Sequence, residues 1–227
     1  MHHSGKSRSA TPPSCGWKKD DAARFKNMAD TVFRPVYRWL VVDVEAALGR
    51  PLKGLRILDI GGGPGHMAIE FLRAGVERII EVDLSKTMID LAVESISRLD
   101  AEQASRFSGL IGEAAALPVE TGSVDLVFSR GSIQFWPDLA GAFDEIYRVL
   151  SVGGSAYLGR GYGLRTPPEL VAEIARRREE RETQAGGPSR IPQMDRDAML
   201  RLARERGGGA VFLGPSPGSW LHWRPAK

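Results

Sequence analysis

The chain has 227 residues, 31 Lys and Arg against 28 Asp and Glu, and a hydrophobic share of 42%. That length and composition suit one domain with a substantial core and exclude a disordered or fibrous chain. One cysteine, Cys15, leaves no internal disulfide framework and no three-cysteine iron–sulfur site, and the small positive excess gives no broad basic face of the kind RNA binding needs.

Residues 1–17 read as a flexible polar tail. Met1 to Ser14 lacks the apolar core of a signal peptide, and the longest apolar stretch, Trp39 to Val44, is interrupted by Asp43 and followed by Glu45. No membrane span is expected, and a cytoplasmic setting is. His2, His3, His66 and His222 show no ligand spacing, so no metal is expected.

Residues 18–50 form an amphipathic helical segment. Phe25, Met28, Ala29, Val32, Phe33, Val36, Tyr37, Leu40 and Val44 recur at helical spacing, Pro35 should split or kink the helix, and Gly49 with Pro51 ends it. The segment either packs on the domain as scaffold or closes over its site as a lid. In the second case Phe33 and Tyr37 line a substrate pocket.

From residue 51 the pattern alternates between strands and helices. Ile57-Leu58-Asp59-Ile60 is an apolar strand that runs into Gly61-Gly62-Gly63-Pro64-Gly65, and His66 to Arg73 opens a helix. Glycine reaches positive φ and lets a ligand approach the main chain, so this turn suits a nucleoside site. About twenty residues on, Ile79 to Val82 ends in Asp83-Leu84-Ser85, where an ionised carboxylate can accept from two ribose hydroxyls. Ser85 caps a helix whose stripe is Met88, Ile89, Ala92, Val93, Ile96 and Leu99; Met88 belongs to the core or lies against an adenine face.

A third strand, Arg106 to Ile111, leads to Gly112-Glu113-Ala114, where Glu113 is either an acceptor for an adenine amine or a solvated loop residue. A fourth, Val124 to Phe128, leads to Ser129-Arg130-Gly131-Ser132. Asp138 caps the next helix, which runs to Leu150, and Ser155 to Gly159 is the fifth strand after Gly153-Gly154. Residues 161–195 read as a cap segment with Pro167, Pro168, a charged helix and the Gly186-Gly187-Pro188 loop. The arginine-rich run Arg176 to Arg181 is a solvated helix face. A helix capped by Asp195, the break at Gly207 to Gly209, and strands at Ala210 to Leu213 and Ser219 to Arg224, joined by Gly214 to Gly218, close the chain.

Taken in order, Asp-Ile-Gly-Gly-Gly-Pro-Gly, Val-Asp-Leu-Ser, Gly-Glu-Ala, the fourth strand and Leu150-Ser-Val-Gly-Gly resemble a class I S-adenosylmethionine-dependent methyltransferase. The resemblance covers roughly residues 55 to 160 and is nearest to the ubiquinone/menaquinone-type, or type 11, group. It implies an α/β, Rossmann-like fold with a seven-stranded, mostly parallel sheet, an antiparallel last strand and helices on both faces, spanning residues 51–227. It also implies S-adenosylmethionine as cofactor and S-adenosylhomocysteine as product. The family's roles map onto Gly61, Gly62, Gly63 and Gly65 for the methionine end, Asp83 with Leu84 for the ribose, and Glu113 with Ala114 for adenine. Asp59 stands where the family has an acid near the cofactor's amino group, or simply braces the turn. Met88 and Ser129 complete the implied cofactor set.

A sulfonium methyl is already electrophilic, so the protein's task is chiefly to hold a nucleophile in line with it. Any base or substrate contact should come just after the fourth strand, where Ser129, Arg130, Ser132, Gln134 and Trp136 carry neither carboxylate nor imidazole. No catalytic residue is assigned. Arg130 either holds an anionic substrate group or pairs with an acid such as Asp138, the pairing being the expectation. Phe135 or Trp136 either faces the sulfonium or packs in the core. The segment lacks the Asn- or Asp-Pro-Pro-aromatic motif of enzymes that methylate base amino groups. Methyl transfer to a small molecule is the expected function, with a non-catalytic cofactor-binding partner protein as the alternative and RNA methylation ranked below both. A nicotinamide enzyme is disfavoured because the third glycine falls two residues after the second rather than three.

Overall fold

The computed structural model describes residues 19–184, 192–214 and 219–227. Its centre is a seven-stranded sheet in the order β3-β2-β1-β4-β5-β7-β6. The strands are β1 (Arg56–Ile60), β2 (Arg78–Asp83), β3 (Phe107–Ile111), β4 (Val124–Arg130), β5 (Leu150–Gly159), β6 (Gly209–Leu213) and β7 (Trp220–Arg224). Strands β1 to β5 pair in parallel, and β7 runs antiparallel between β5 and β6. The expected architecture, including the antiparallel last strand, is therefore present. The order turns back beside β1, and in open sheets of this kind ligands sit beyond the carboxyl ends of the strands at that switch point.

Strand alternation divides the core into two layers. One face carries Ile57, Ile79, Leu126, Phe128 and Tyr157 against helices α2 (Arg34–Leu48) and α3 (His66–Arg73). The other carries Leu58, Ile60, Val82, Val127, Ala156 and Leu158 against α6 (Leu139–Val149) and α8 (Arg196–Glu205). Between them, α4 (Lys86–Ile96) follows β2, and a short α5 (Ala101–Ser105), not anticipated from the sequence, precedes β3. One boundary and one burial also differ from expectation. Strand β5 starts at Leu150, because Gly153 and Gly154 continue it past a register shift opposite Val124; and Val93, although it shares the apolar stripe of α4, is half exposed.

The α-helical ladder of the N-terminal segment is interrupted just ahead of Pro35, which stands in the first turn of the second helix, as its position predicts. Helix α1 (Lys19–Met28) passes through a π-helical turn, Ala29–Phe33, into α2. Proline has no N–H to give back to the preceding turn, and its ring crowds the carbonyl four residues earlier. The Thr31 carbonyl instead accepts Arg177 Nη1 at 3.0 Å from helix α7 (Pro168–Gln184). Val32 and Val36 pack with Ile174 of α7, and buried Asp43 accepts from the Arg165 amide and guanidinium, both at 3.1 Å. The N-terminal helices and the segment after β5 therefore meet. Along α7, Arg176 pairs with Glu180 as on a solvated helix face, whereas Arg177, paired with Glu173, also reaches across to Thr31 and is not purely solvated. Among the described residues no helix is long and apolar enough to cross a membrane. Cys15, the 1–17 tail and the Gly186-Gly187-Pro188 loop lie outside the described residues, as does most of the Gly214 to Gly218 link.

Candidate functional site

The glycine turn leaves β1 and enters α3 directly. Gly61 has φ 71°, and a Cβ there would collide with the side chain of Ser132. That serine sits behind the turn because its Oγ donates to the Ile60 carbonyl at 2.9 Å and pairs with Ser129 Oγ at 2.7 Å. Ser129 is fully buried and holds Ser132 in place, and it is Ser132 that braces the loop after β4 against β1. The turn also leans on Asp83. One carboxylate oxygen accepts from the Gly63 amide at 3.2 Å and the other from the Ser85 amide at 2.8 Å. Each oxygen keeps a second lone pair, so Asp83 can still accept from a ligand. Burial raises its carboxyl's pKa while these two amides lower it.

Asp59 and Glu81 stand side by side on β1 and β2, in register and on the face that carries Asp83. They are 1% and 0% exposed, and all four of their carboxyl oxygens lack a hydrogen-bond partner among the described residues. Burial, reinforced by Asp83 and opposed by Arg130, pushes the Asp59 carboxyl up to about 8. Burial, then Asp59 and Asp83, hold Glu81 well above the usual carboxylate range. Asp59 makes no hydrogen bond to the turn, so it does not brace it in that way.

Helices α1 and α2 approach the same strand ends. The Arg130 guanidinium lies over the rings of Phe33 and Tyr37, at 5.3 and 5.1 Å, and its Nε donates to the Gly161 carbonyl at 3.1 Å. The expected pairing with Asp138 is not formed, because Asp138 caps α6 by accepting from the Gly141 amide at 2.8 Å. Among the described residues Arg130 has no ion pair within 4 Å. Tyr37 also stacks on His66, the first residue of α3, with ring centroids 5.3 Å apart. Nε2 of His66 lies 2.7 Å from Asp30 of the π-helical turn. Burial lowers the imidazole's pKa against the pull of Asp30, and a neutral ring donating Nε2–H to the Asp30 carboxylate satisfies both groups.

The remaining candidates spread around this centre. Leu84 and Ile111, at the ends of β2 and β3, are 49% and 54% exposed and form an apolar lip next to Asp83. Met88 is buried, with its amide capped by Ser85. Glu113 is half buried and bridges to Ala116 through the backbone, and Ala114 is buried beside it. Gln134 donates to the Gly131 carbonyl at 2.8 Å. Trp136 packs against the core layer of α6, apart from Phe33 and Tyr37, while Phe135 is exposed. Phe33, Tyr37 and Arg130 are thus brought together, and Gln134 and Trp136 are not part of that group.

Three participants escaped the sequence reading. Glu81 lies within an otherwise apolar strand, although its two-residue spacing from Asp83 puts both carboxylates on one face. Asp30 and His66 are 36 residues apart and meet only because α1 folds back over the turn, so no local pattern announces them.

The donor set fits a ligand that is positively charged at one end and rich in hydroxyls at the other. Backbone lines the turn, unpartnered carboxyls lie beneath it, and a carboxylate stands at the end of β2. Among the described residues no cluster of three or more His, Cys, Asp or Glu could hold a metal ion.

Comparisons with known proteins agree with this arrangement. Residues 58–158 match the family model described as a methyltransferase domain. Phosphoethanolamine N-methyltransferase 2 of Caenorhabditis elegans is 40% identical over 109 residues, which are 47% of this chain and 23% of that protein. A ubiquinone/menaquinone biosynthesis C-methyltransferase of Cereibacter sphaeroides is 31% identical over 137 residues, 59% of this chain and 52% of that one. The chain thus spans about half the length, or less, of these curated relatives. A crystal structure of a candidate S-adenosyl-L-methionine-dependent methyltransferase from Methanococcus maripaludis superposes with a TM-score of 0.78 at 27% identity, covering 100% of this chain and 98% of that one. Strand order, glycine turn and matched segment coincide, and the chain carries a domain of the class I S-adenosylmethionine-dependent methyltransferase family.

Proposed function

We propose that this chain transfers the methyl group of S-adenosylmethionine to a small-molecule acceptor. The observation that carries this reading is the convergence of the Gly61–Gly65 turn, Asp59 and Asp83 at the carboxyl ends of β1 and β2, facing Phe33, Tyr37 and Arg130.

In this reading the turn and Asp59 receive the methionine end of the cofactor, Asp83 the ribose hydroxyls, and the Leu84 and Ile111 lip with Met88 the adenine, with Glu113 and Ala114 at its edge. When bound, the cofactor supplies an electrophilic methyl group on sulfur. The chain's own task is to hold an acceptor atom in line with that methyl and to keep water away. Phe33 and Tyr37, carried by the N-terminal helices, serve as the lid, and the helix α7 segment closes the other side. Arg130 is the substrate-facing cation, because among the described residues its guanidinium has no ion pair within 4 Å and lies over Phe33 and Tyr37 at the strand ends.

A small acceptor fits a mouth bounded by one helical pair and one cap segment, and the two relatives above are named for phosphoethanolamine and for ubiquinone/menaquinone biosynthesis. The test is to incubate the chain with S-adenosylmethionine and fractionated metabolite pools and to measure release of S-adenosylhomocysteine. Turnover in a low-molecular-weight fraction is expected. Tight cofactor binding with no turnover in any fraction would favour a non-catalytic partner protein instead.

A further inference from the structure

Glu81 has no role in the reading above, yet it is the most deeply buried ionisable group near the turn. It is fully buried, it sits opposite Asp59 in the sheet register, and neither of its oxygens has a partner among the described residues. Adjacent strands lie about 4.8 Å apart, so the two carboxyl groups are immediate neighbours. A Cβ on Gly62 would come within 2.5 Å of Glu81 Cδ and 2.6 Å of Oε2, which puts this carboxyl against the underside of the glycine turn.

Two carboxyls so placed, without donors and out of water, cannot both ionise, and they titrate as a pair. The neighbouring groups decide which carboxyl carries charge. Asp83, on β2, is raised by burial against two backbone amides, and its charge, when present, discourages a further negative charge beside it. Arg130 from β4 faces Asp59 and favours ionisation there rather than at Glu81; Tyr37 from α2 stands near Asp59 and keeps its phenol proton. From α3, His66 is engaged by Asp30.

We propose that Asp59 and Glu81 are a proton-holding pair in which Glu81 stays the acid and donates to Asp59 as that carboxyl ionises, so that docking of the cofactor's positively charged end expels one proton. Glu81 is then a positioning residue of the cofactor site acting through Asp59. The step balances: the Asp59 O–H bond breaks, its proton leaves to solvent, and the carboxylate pairs with the incoming cation. Affinity consequently rises with pH until Asp59 is ionised in the free protein. The proposal rests on the cofactor reading given above.

The experiment is calorimetric titration of the full chain with S-adenosylhomocysteine between pH 6 and pH 9, in buffers of different ionisation enthalpy. The wild type is expected to release about one proton per ligand near neutrality and to bind up to about tenfold tighter per pH unit on the acid side. Asp59→Asn should abolish that release and flatten the pH profile; the difference from wild type isolates the pair from His66 and from the ligand's own amino group. Glu81→Leu should weaken binding about tenfold at neutral pH and shift the profile to higher pH, and Glu81→Gln, which restores a donor, should recover most of the loss. Infrared difference spectra of the ligand-free chain at neutral pH, wild type minus Glu81→Gln, should show a protonated carboxyl. A chain that binds the ligand with a flat profile and no proton release, or a Glu81→Leu profile equal to wild type, overturns the pair. A wild-type chain that does not bind the ligand while still showing the infrared band overturns the cofactor reading and this use of the pair with it.

Discussion

Asp43 of α2 accepts both the backbone amide and the guanidinium of Arg165, which ties the N-terminal helices to the segment that follows β5. The Asp43 side chain is 0% exposed and the Arg165 side chain 51% exposed, so the acid bears the desolvation. Burial raises the Asp43 carboxyl's pKa, and the Arg165 contacts oppose that rise.

Because the Arg165 guanidinium can return to water when its partner is removed, Asp43→Ala should not cost as much as breaking a fully buried pair. The backbone amide is left behind, and the expected destabilisation is about 1–3 kcal/mol. Chemical denaturation of wild type and variant measures it. Gly163→Ala should destabilise through the same junction, since a Cβ there would collide with the Asp43 carboxylate. An unchanged midpoint for both variants would show that the junction carries no stability.

Gly61→Ala tests the turn. The position needs φ 71°, which costs an L-residue about 1–3 kcal/mol, and the new methyl would also meet Ser132. Ser132 is not free to swing away, because it is bonded to the Ile60 carbonyl and to Ser129. The variant should lose stability and bind S-adenosylhomocysteine at least tenfold more weakly, read by denaturation and by calorimetry respectively. Cofactor affinity equal to wild type would contradict the close approach assigned to this turn.

Asp59 gives a pH-dependent stability with a definite sign. Its carboxyl titrates at about 8 in the folded chain, chiefly through burial, against 3.8 for an unperturbed aspartate. Between those values the folded state holds a proton that the unfolded state has released, so stability should fall as pH rises through this window. Asp59→Asn removes this residue's share of the dependence and leaves that of Glu81, which burial also holds well above its usual range. The variant should be more stable than wild type at pH 8 by on the order of a few kcal/mol, with a smaller difference at pH 5. Urea unfolding at the two pH values measures this. A wild type that gains stability from pH 5 to pH 8 relative to the variant would contradict the protonated state assigned to Asp59. A stabilised variant with weakened cofactor binding would place the residue among those retained for function at a cost to stability.

The strands and the glycine turn were legible in the sequence because each rests on local chemistry. Apolar runs such as Ile57 to Ile60 and Val124 to Phe128 end in turn residues, and Ser85, Asp138 and Asp195 each cap the helix they were expected to cap. The family resemblance added what spacing alone could not, the identity of the nucleoside. What stayed hidden depends on contacts between distant segments. The Asp30–His66 pair and the Arg130 position over Phe33 and Tyr37 arise from the way α1 and α2 fold back across the sheet. Arg130 was expected on Asp138, a neighbour in sequence, but Asp138 is committed to its helix cap. The exposure of Val93 has the same origin, because helical spacing cannot say how far a neighbouring helix extends over a stripe. Glu81 is different, since the alternation of β2 already put it on the face of Asp83. The apolar strand around it masks that signal.

In the proposed function, Asp83 is the residue on which recognition of the cofactor's ribose turns. The direct measurement is calorimetric binding of S-adenosylhomocysteine to wild type and to Asp83→Ala, with Asp83→Asn as the variant that preserves shape. A charge-assisted hydrogen bond contributes about 1.5 kcal/mol or more, so the alanine variant should bind tenfold or more weakly. Asp83→Asn should fall between the two. Asp83→Ala binding as tightly as wild type, or a wild type that does not bind the ligand, would contradict the assignment.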